Sequence, residues 1–137
     1  MSNAIILEIP GDPIGKGRPR VRVIGGKYGH IYTDNKTQAF EKKVALIAST
    51  ERKMLEGPLR VNAFFYFKRP KSRSKLKEKY ITSGRAYDLD NLLKSLLDGL
   101  NGILFEDDKQ VCAMYAEKLY TDHEPKIIVR VEGLEDE

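Results

Sequence analysis

Apolar and polar positions alternate from Ile5 to Ile9 and stop at Pro10-Gly11-Asp12-Pro13, which predicts a short strand and a turn. Val21 and Val23 alternate with Arg22, and Gly25, Gly26 and Gly29 mark a hairpin turn before His30-Ile31-Tyr32. Phe40, Val44, Ile47 and Ala48 then recur at helical spacing behind a cap at Thr33 or Asp34. That helix is expected to run to about Leu55, with Gly57-Pro58 ending it. Leu59, Val61, Ala63, Phe65 and Phe67 alternate, and Phe64 and Tyr66 occupy the other face. A strand apolar on both sides belongs in the middle of a sheet or against another subunit. Leu92, Leu93, Leu96, Leu97 and Leu100 form the buried stripe of a helix over roughly Asn91 to Asn101, with Gly102 as its stop. Strands near Val111 to Tyr120 and Ile127 to Val131 follow, then a loose tail, Glu135-Asp136-Glu137. No repeat or linker interrupts the pattern. It predicts one α+β domain over residues 1–137, a mixed sheet with helices packed on it.

Length and composition narrow the class of protein. A chain of 137 residues, 41% hydrophobic, suits one domain with a modest core. No stretch reaches the eighteen or so apolar residues of a membrane span. No basic patch followed by an apolar run opens the chain, so no signal peptide is expected. Cys112 is the only cysteine, which excludes an internal disulfide and fits a reducing, cytoplasmic setting. Its neighbours Val111 and Ala113 predict a packed structural thiol.

Charge changes the picture. Lys68, Arg69, Lys71, Arg73, Lys75, Lys77, Lys79 and Arg85 face one acid, Glu78. This segment carries eight positive charges against one negative, a net of +7, so in a chain of net +4 the remainder sums to −3. A positive loop on a slightly acidic body suggests a polyanionic partner, although a merely solvated loop accounts for charge alone equally well.

The candidate chemistry lies in Asp88-Leu89-Asp90-Asn91-Leu92-Leu93-Lys94, then Asp98, Asn101-Gly102 and Asp107-Asp108-Lys109-Gln110. If Asp88 to Asp90 is extended, the two carboxylates project together and Leu89 turns inward. Asn91, Lys94, Asp98 and Asn101 share the polar face of the helix, and Lys94 stands one turn beyond Asp90. Clustered carboxylates repel one another, and a hard divalent cation relieves that conflict. Mg²⁺ there would suit hydrolysis of a phosphodiester, with Lys94 stabilising developing charge. Taken singly, each feature has a plainer reading. Asp90 could be a helix cap, Asp107-Asp108 an exposed turn, and Lys94 a partner in a surface ion pair. His30 and His123 stand in no metal-ligand spacing, and an EF-hand pattern is absent.

At these residues the chain resembles the RusA family of Holliday-junction resolvases. The likeness rests on Asp88-Leu89-Asp90-Asn91-Leu92-Leu93-Lys94, Leu97-Asp98, Leu100-Asn101-Gly102 and Asp107-Asp108-Lys109-Gln110-Val111. It extends to Pro13, Lys16, Arg18, Pro19, Arg20 and Tyr32-Thr33, and so covers nearly the whole chain. The resemblance implies catalytic Asp88, Asp90, Asp108 and Lys94, with Asp107 as an accessory metal ligand. It implies a homodimer that nicks four-way DNA junctions in pairs with Mg²⁺ or Mn²⁺, in recombination and repair, in a phage or prophage setting. On this reading Lys16, Arg18 and Arg20 contact phosphates near the site. Lys71, Arg73, Lys75, Lys77 and Lys79 follow a second DNA arm. No membrane partner or small-molecule cofactor is expected. Two alternatives stay open: a nuclease for flaps or forks, and a non-catalytic basic DNA-binding module.

Overall fold

A computed structural model describes residues 3–17, 20–21, 31–32, 35–73, 77–82 and 87–135, those at 20–21, 31–32 and 73 as backbone only. Along the chain run β1 (Ala4–Pro10), β2 (Arg20–Val21), β3 (Ile31–Tyr32), α1 (Asn35–Ser49), β4 (Leu59–Lys68), α2 (Leu89–Leu100), β5 (Val111–Thr121) and β6 (Lys126–Gly133). Four strands form a mixed sheet in the order β1-β6-β4-β5. β6 pairs antiparallel with β1 and with β4, whereas β4 and β5 run parallel. A parallel pair needs a crossover, and α2 lies within it. β2 and β3 make the small expected hairpin, apart from the main sheet. The cap expected at Thr33 or Asp34 lies outside the described residues.

Alternation decides which sheet face is buried. Register sets Ile5 beside Val131, Leu7 beside Val129 and Ile9 beside Ile127, and it sets Val61, Ala63 and Phe65 beside the same three β6 residues. These side chains are buried together with Phe40, Val44 and Ala48 of α1 and Leu92, Leu96 and Leu100 of α2. Each fully buried Leu, Val, Ile or Phe contributes about 1.5–3 kcal/mol of transfer free energy. β4 is internal to the sheet, as its two apolar faces imply. Phe65 is buried, while Phe64, Tyr66 and Phe67 are half-buried.

Two expectations need correction. α1 ends at Ser49, six residues before Leu55. There Ser49 Oγ donates to the Leu46 carbonyl and Thr50 Oγ1 to the Ile47 carbonyl. These side chains satisfy the terminal carbonyls locally, and Arg52 with φ 53° turns the chain away. Leu55 is instead buried beside Phe105, with its amide donating to the Leu104 carbonyl. Cys112 is exposed rather than packed, because it lies on β5 at the edge of the sheet.

Among the described residues no helix is long and apolar enough to cross a membrane.

Candidate active site

α2 carries most of the candidate chemistry, and its leucine stripe fixes which face is free. With Leu92, Leu96, Leu97 and Leu100 buried, Asp90 and Lys94 are left exposed. Helical geometry begins at Leu89, two residues earlier than the apolar spacing indicates. Asp88 is therefore the N-cap, at φ −63° and ψ 146°, and Asp90 lies in the first turn. The two-residue alternation of an extended chain does not apply across them. Asp88 makes no side-chain capping bond, and its carboxylate is exposed. Both residues stand at the N-terminal end of α2, where the helix dipole is positive.

Lys94 points along the helix, away from Asp90. Its Nζ donates to Asp98 Oδ1 at 3.1 Å, while Asp98 Oδ2 lies 3.0 Å from Lys16 Nζ. Lys16 also donates to Glu41 Oε1 at 2.7 Å. Glu41 belongs to α1, so this chain of charges ties the N-terminal loop to both helices. Burial alone would lower the Lys16 pKa, but the bonds to Glu41 and Asp98 outweigh it and hold the ammonium above its ordinary 10.5. The loop is fixed by its backbone as well. The Lys16 amide donates to the Asn91 carbonyl at 2.9 Å, Ser95 Oγ donates to the Ile14 carbonyl, and the Gly17 amide donates to Thr37 Oγ1. At Gly15 an added Cβ would meet the Tyr87 ring at 2.5 Å, so glycine lets the loop lie against the residue before Asp88.

Asp107 and Asp108 form a separate group. Asp107 caps the 3₁₀ turn Asp108–Gln110, accepting from the Lys109 amide at 2.9 Å. That bond, with the neighbouring Asp108 carboxyl, holds Asp107 below the ordinary carboxylate value. Asp107 thus has a structural task beside any metal role. The Asp108 amide donates to Asn101 Oδ1 at 3.0 Å, which places the turn at the C-terminal end of α2. A helix of 12 residues is about 18 Å long, and Asp88 with Asp90 lies at its other end. Among the described residues, no three His, Cys, Asp or Glu side chains stand together as a metal site within one chain.

The expected DNA-binding residues divide similarly. Lys16 is occupied by two carboxylates. Lys71, Lys77 and Lys79 are exposed, and Lys79 Nζ lies 5.2 Å from the centre of the Tyr80 ring. Arg18 and Lys75, with the side chains of Arg20 and Arg73, lie outside the described residues. The basic segment is anchored to the edge of β5, where the Tyr120 amide donates to the Lys79 carbonyl and the Ile81 amide to the Lys118 carbonyl.

Sequence reasoning did not single out Glu41, and it placed Asn101 and Gln110 in the acidic motif without giving them a role. Gln110 had a readable signal: Asp107 and Gln110 have the three-residue spacing of a capping box. Glu41 had none, because its role depends on α1 crossing α2.

Two comparisons relate the chain to known proteins. The chain is similar to "Uncharacterized protein YqaN" of Bacillus subtilis (strain 168), at 31% identity over 138 residues, covering 94% of this chain and 96% of that protein. The family model described as endodeoxyribonuclease RusA matches residues 10–132, from the end of β1 into β6, with both helices and both acidic groups inside the match. The chain belongs to the RusA family of endodeoxyribonucleases.

Proposed function

We propose that this chain is a divalent-metal-dependent endonuclease that resolves four-way DNA junctions by paired nicks. The observation that carries this reading is the exposed pair Asp88 and Asp90 at the N-terminus of α2, with the Asp88 carboxylate not used in capping, in a chain of a DNA endonuclease family. Mg²⁺ takes oxygen ligands, commonly one or two carboxylates completed by water and substrate phosphate. Asp88 and Asp90 fit that donor set, and Mn²⁺ suits the same ligands. A cation held there would supply an activated water and neutralise charge on the scissile phosphate.

The chain's own residues do the remaining work. The N-terminus of α2 directs a positive dipole at a bound phosphate. Lys94, 57% exposed at its side chain, has room to leave Asp98 and meet the phosphate, where its ammonium stabilises developing negative charge. Lys71, Lys77 and Lys79, with Arg18, Arg20, Arg73 and Lys75, bind backbone phosphates of the DNA arms. Such contacts position DNA without reading its sequence.

Asp108 gives a second copy of the chain a chemical task. It lies about the length of α2 from Asp88 and Asp90, too far to share a cation with them in one chain. In a two-fold homodimer the C-terminal end of one α2 can face the N-terminal end of the other, twice over. Each site then combines Asp88 and Asp90 of one protomer with Asp108 of its partner, and two sites make two nicks.

Substrate choice is tested by giving the enzyme a labelled four-way junction and a linear duplex of the same sequence, with Mg²⁺. Symmetric nicks in the junction alone support resolution. Equal cutting of the duplex removes the junction from the account.

A further inference from the structure

We propose that Asn101 and Gln110 are positioning residues for Asp108, holding its turn at the correct place and angle for the reaction. This rests on the reading of Asp108 as a catalytic carboxylate. Gln110 Oε1 accepts from the Glu106 amide at 3.0 Å and the Asp107 amide at 3.1 Å. Its Nε2 donates to the Leu55 carbonyl at 3.3 Å and the Gly57 carbonyl at 3.1 Å. A side-chain amide offers two donors and two acceptor lone pairs, so Gln110 is saturated. One half of it grips the turn that carries Asp107 and Asp108, and the other half grips the connection between α1 and β4.

Asn101 holds the turn from the other side, with Oδ1 accepting from the amide of Asp108 itself. The Asp108 backbone is therefore fixed to the end of α2 and, through Gln110, to the segment entering β4. The Leu55 amide donates to the Leu104 carbonyl at 2.7 Å, which links that segment to the same corner of the fold. A carboxylate that must meet its partners within a fraction of an ångström needs a support of this kind, with its backbone held from two sides.

The two residues bond differently, and the difference makes the test specific. Asn101 is used as an acceptor, so Asn101→Asp keeps the bond while Asn101→Ala loses it. Gln110 is used at both ends, so Gln110→Glu keeps the acceptor but turns lone pairs toward the Leu55 and Gly57 carbonyls. Single-turnover cleavage of a four-way junction across a Mg²⁺ titration, with junction affinity measured in EDTA, separates catalysis from binding. Expected for Asn101→Ala, Gln110→Ala and Gln110→Glu is a cleavage rate lowered by ~10–100-fold, the usual effect of losing a group that orients a ligand. Their Mg²⁺ midpoint rises and their junction affinity is unchanged, while Asn101→Asp stays within a few-fold of the parent. If a Gln110 variant fails to fold by thermal melting, the exposed Asn101 pair decides the matter. Parental rates and Mg²⁺ midpoints in Asn101→Ala and Gln110→Ala, with Asp108→Asn inactive, overturn the positioning role and leave Asp108 catalytic. An active Asp108→Asn removes Asp108 from catalysis and this inference with it.

Discussion

The Lys16 ammonium lies 3.0 Å from Asp98 Oδ2, and through this contact the N-terminal loop is joined to the helix that carries Asp88, Asp90 and Lys94. Its pKa in the folded chain is raised above 10.5, so the stabilisation is fully present below that value and is lost as pH rises through the folded pKa. Removing the charge with Lys16→Met should lower stability by about 1 kcal/mol or less at neutral pH, the scale of a partly exposed ion pair. Thermal melting of parent and variant should converge at strongly alkaline pH. A gap that stays constant there would mean that the lysine stem, not its charge, stabilises the loop.

Gly99 places Asp98 where Lys16 can reach it. An added Cβ would stand 2.7 Å from Val44 Cβ and 3.2 Å from the Glu41 carbonyl, so α1 and α2 cross here at close range. In an isolated helix Gly99→Ala would gain about 1 kcal/mol of propensity. Overpacking at a buried crossing costs ~1–3 kcal/mol, so the variant should melt below the parent. It should also weaken the Lys16 bonds to Asp98 and Glu41, since both carboxylates flank that crossing. A stabilised Gly99→Ala would contradict the close crossing.

The sheet and the leucine helix were legible because each has one dominant period. Alternation marked β1 and β4, and the spacing of Leu92, Leu96 and Leu100 marked α2. The C-terminus of α1 was not legible, since Lys53, Met54 and Leu55 continue helical composition past the point where Ser49 and Thr50 close the last turn. Cys112 was misread because flanking apolar residues cannot tell an edge strand from a central one. Of the candidate site, the motif gave residue identities but not their separation. Asp90 and Asp108 are close in pattern yet occupy opposite ends of α2, and only Asn101 at the helix terminus reveals where the second group lies.

The exposed lysines of the basic segment should act through phosphate charge. Replacing Lys71, Lys77 and Lys79 together by Gln should weaken binding to any DNA sequence alike. It should also flatten the dependence of log-affinity on log-salt by roughly 0.9 for each phosphate that is no longer neutralised. Fluorescence anisotropy with a labelled junction over a salt series measures both. An unchanged slope would leave these lysines as solvated surface.

The shared-site arrangement predicts complementation between two inactive chains. Asp90→Asn and Asp108→Asn should each be inactive alone as homodimers. In a mixed dimer one site carries both substitutions and the other carries neither, so co-expressed chains should introduce single nicks. A mixture as inactive as its components would place each whole site within one chain.

Metal-dependent cleavage at the N-terminus of α2 is the claim on which the rest depends. The direct measurement is cleavage of a labelled four-way junction by the parent chain and by Asp90→Asn, each with Mg²⁺ and with EDTA. The predicted result is paired nicks only for the parent with Mg²⁺, with junction binding retained by the inactive variant. Tight binding with no cleavage by the parent in Mg²⁺ or Mn²⁺, or equal cleavage by Asp90→Asn, would contradict it.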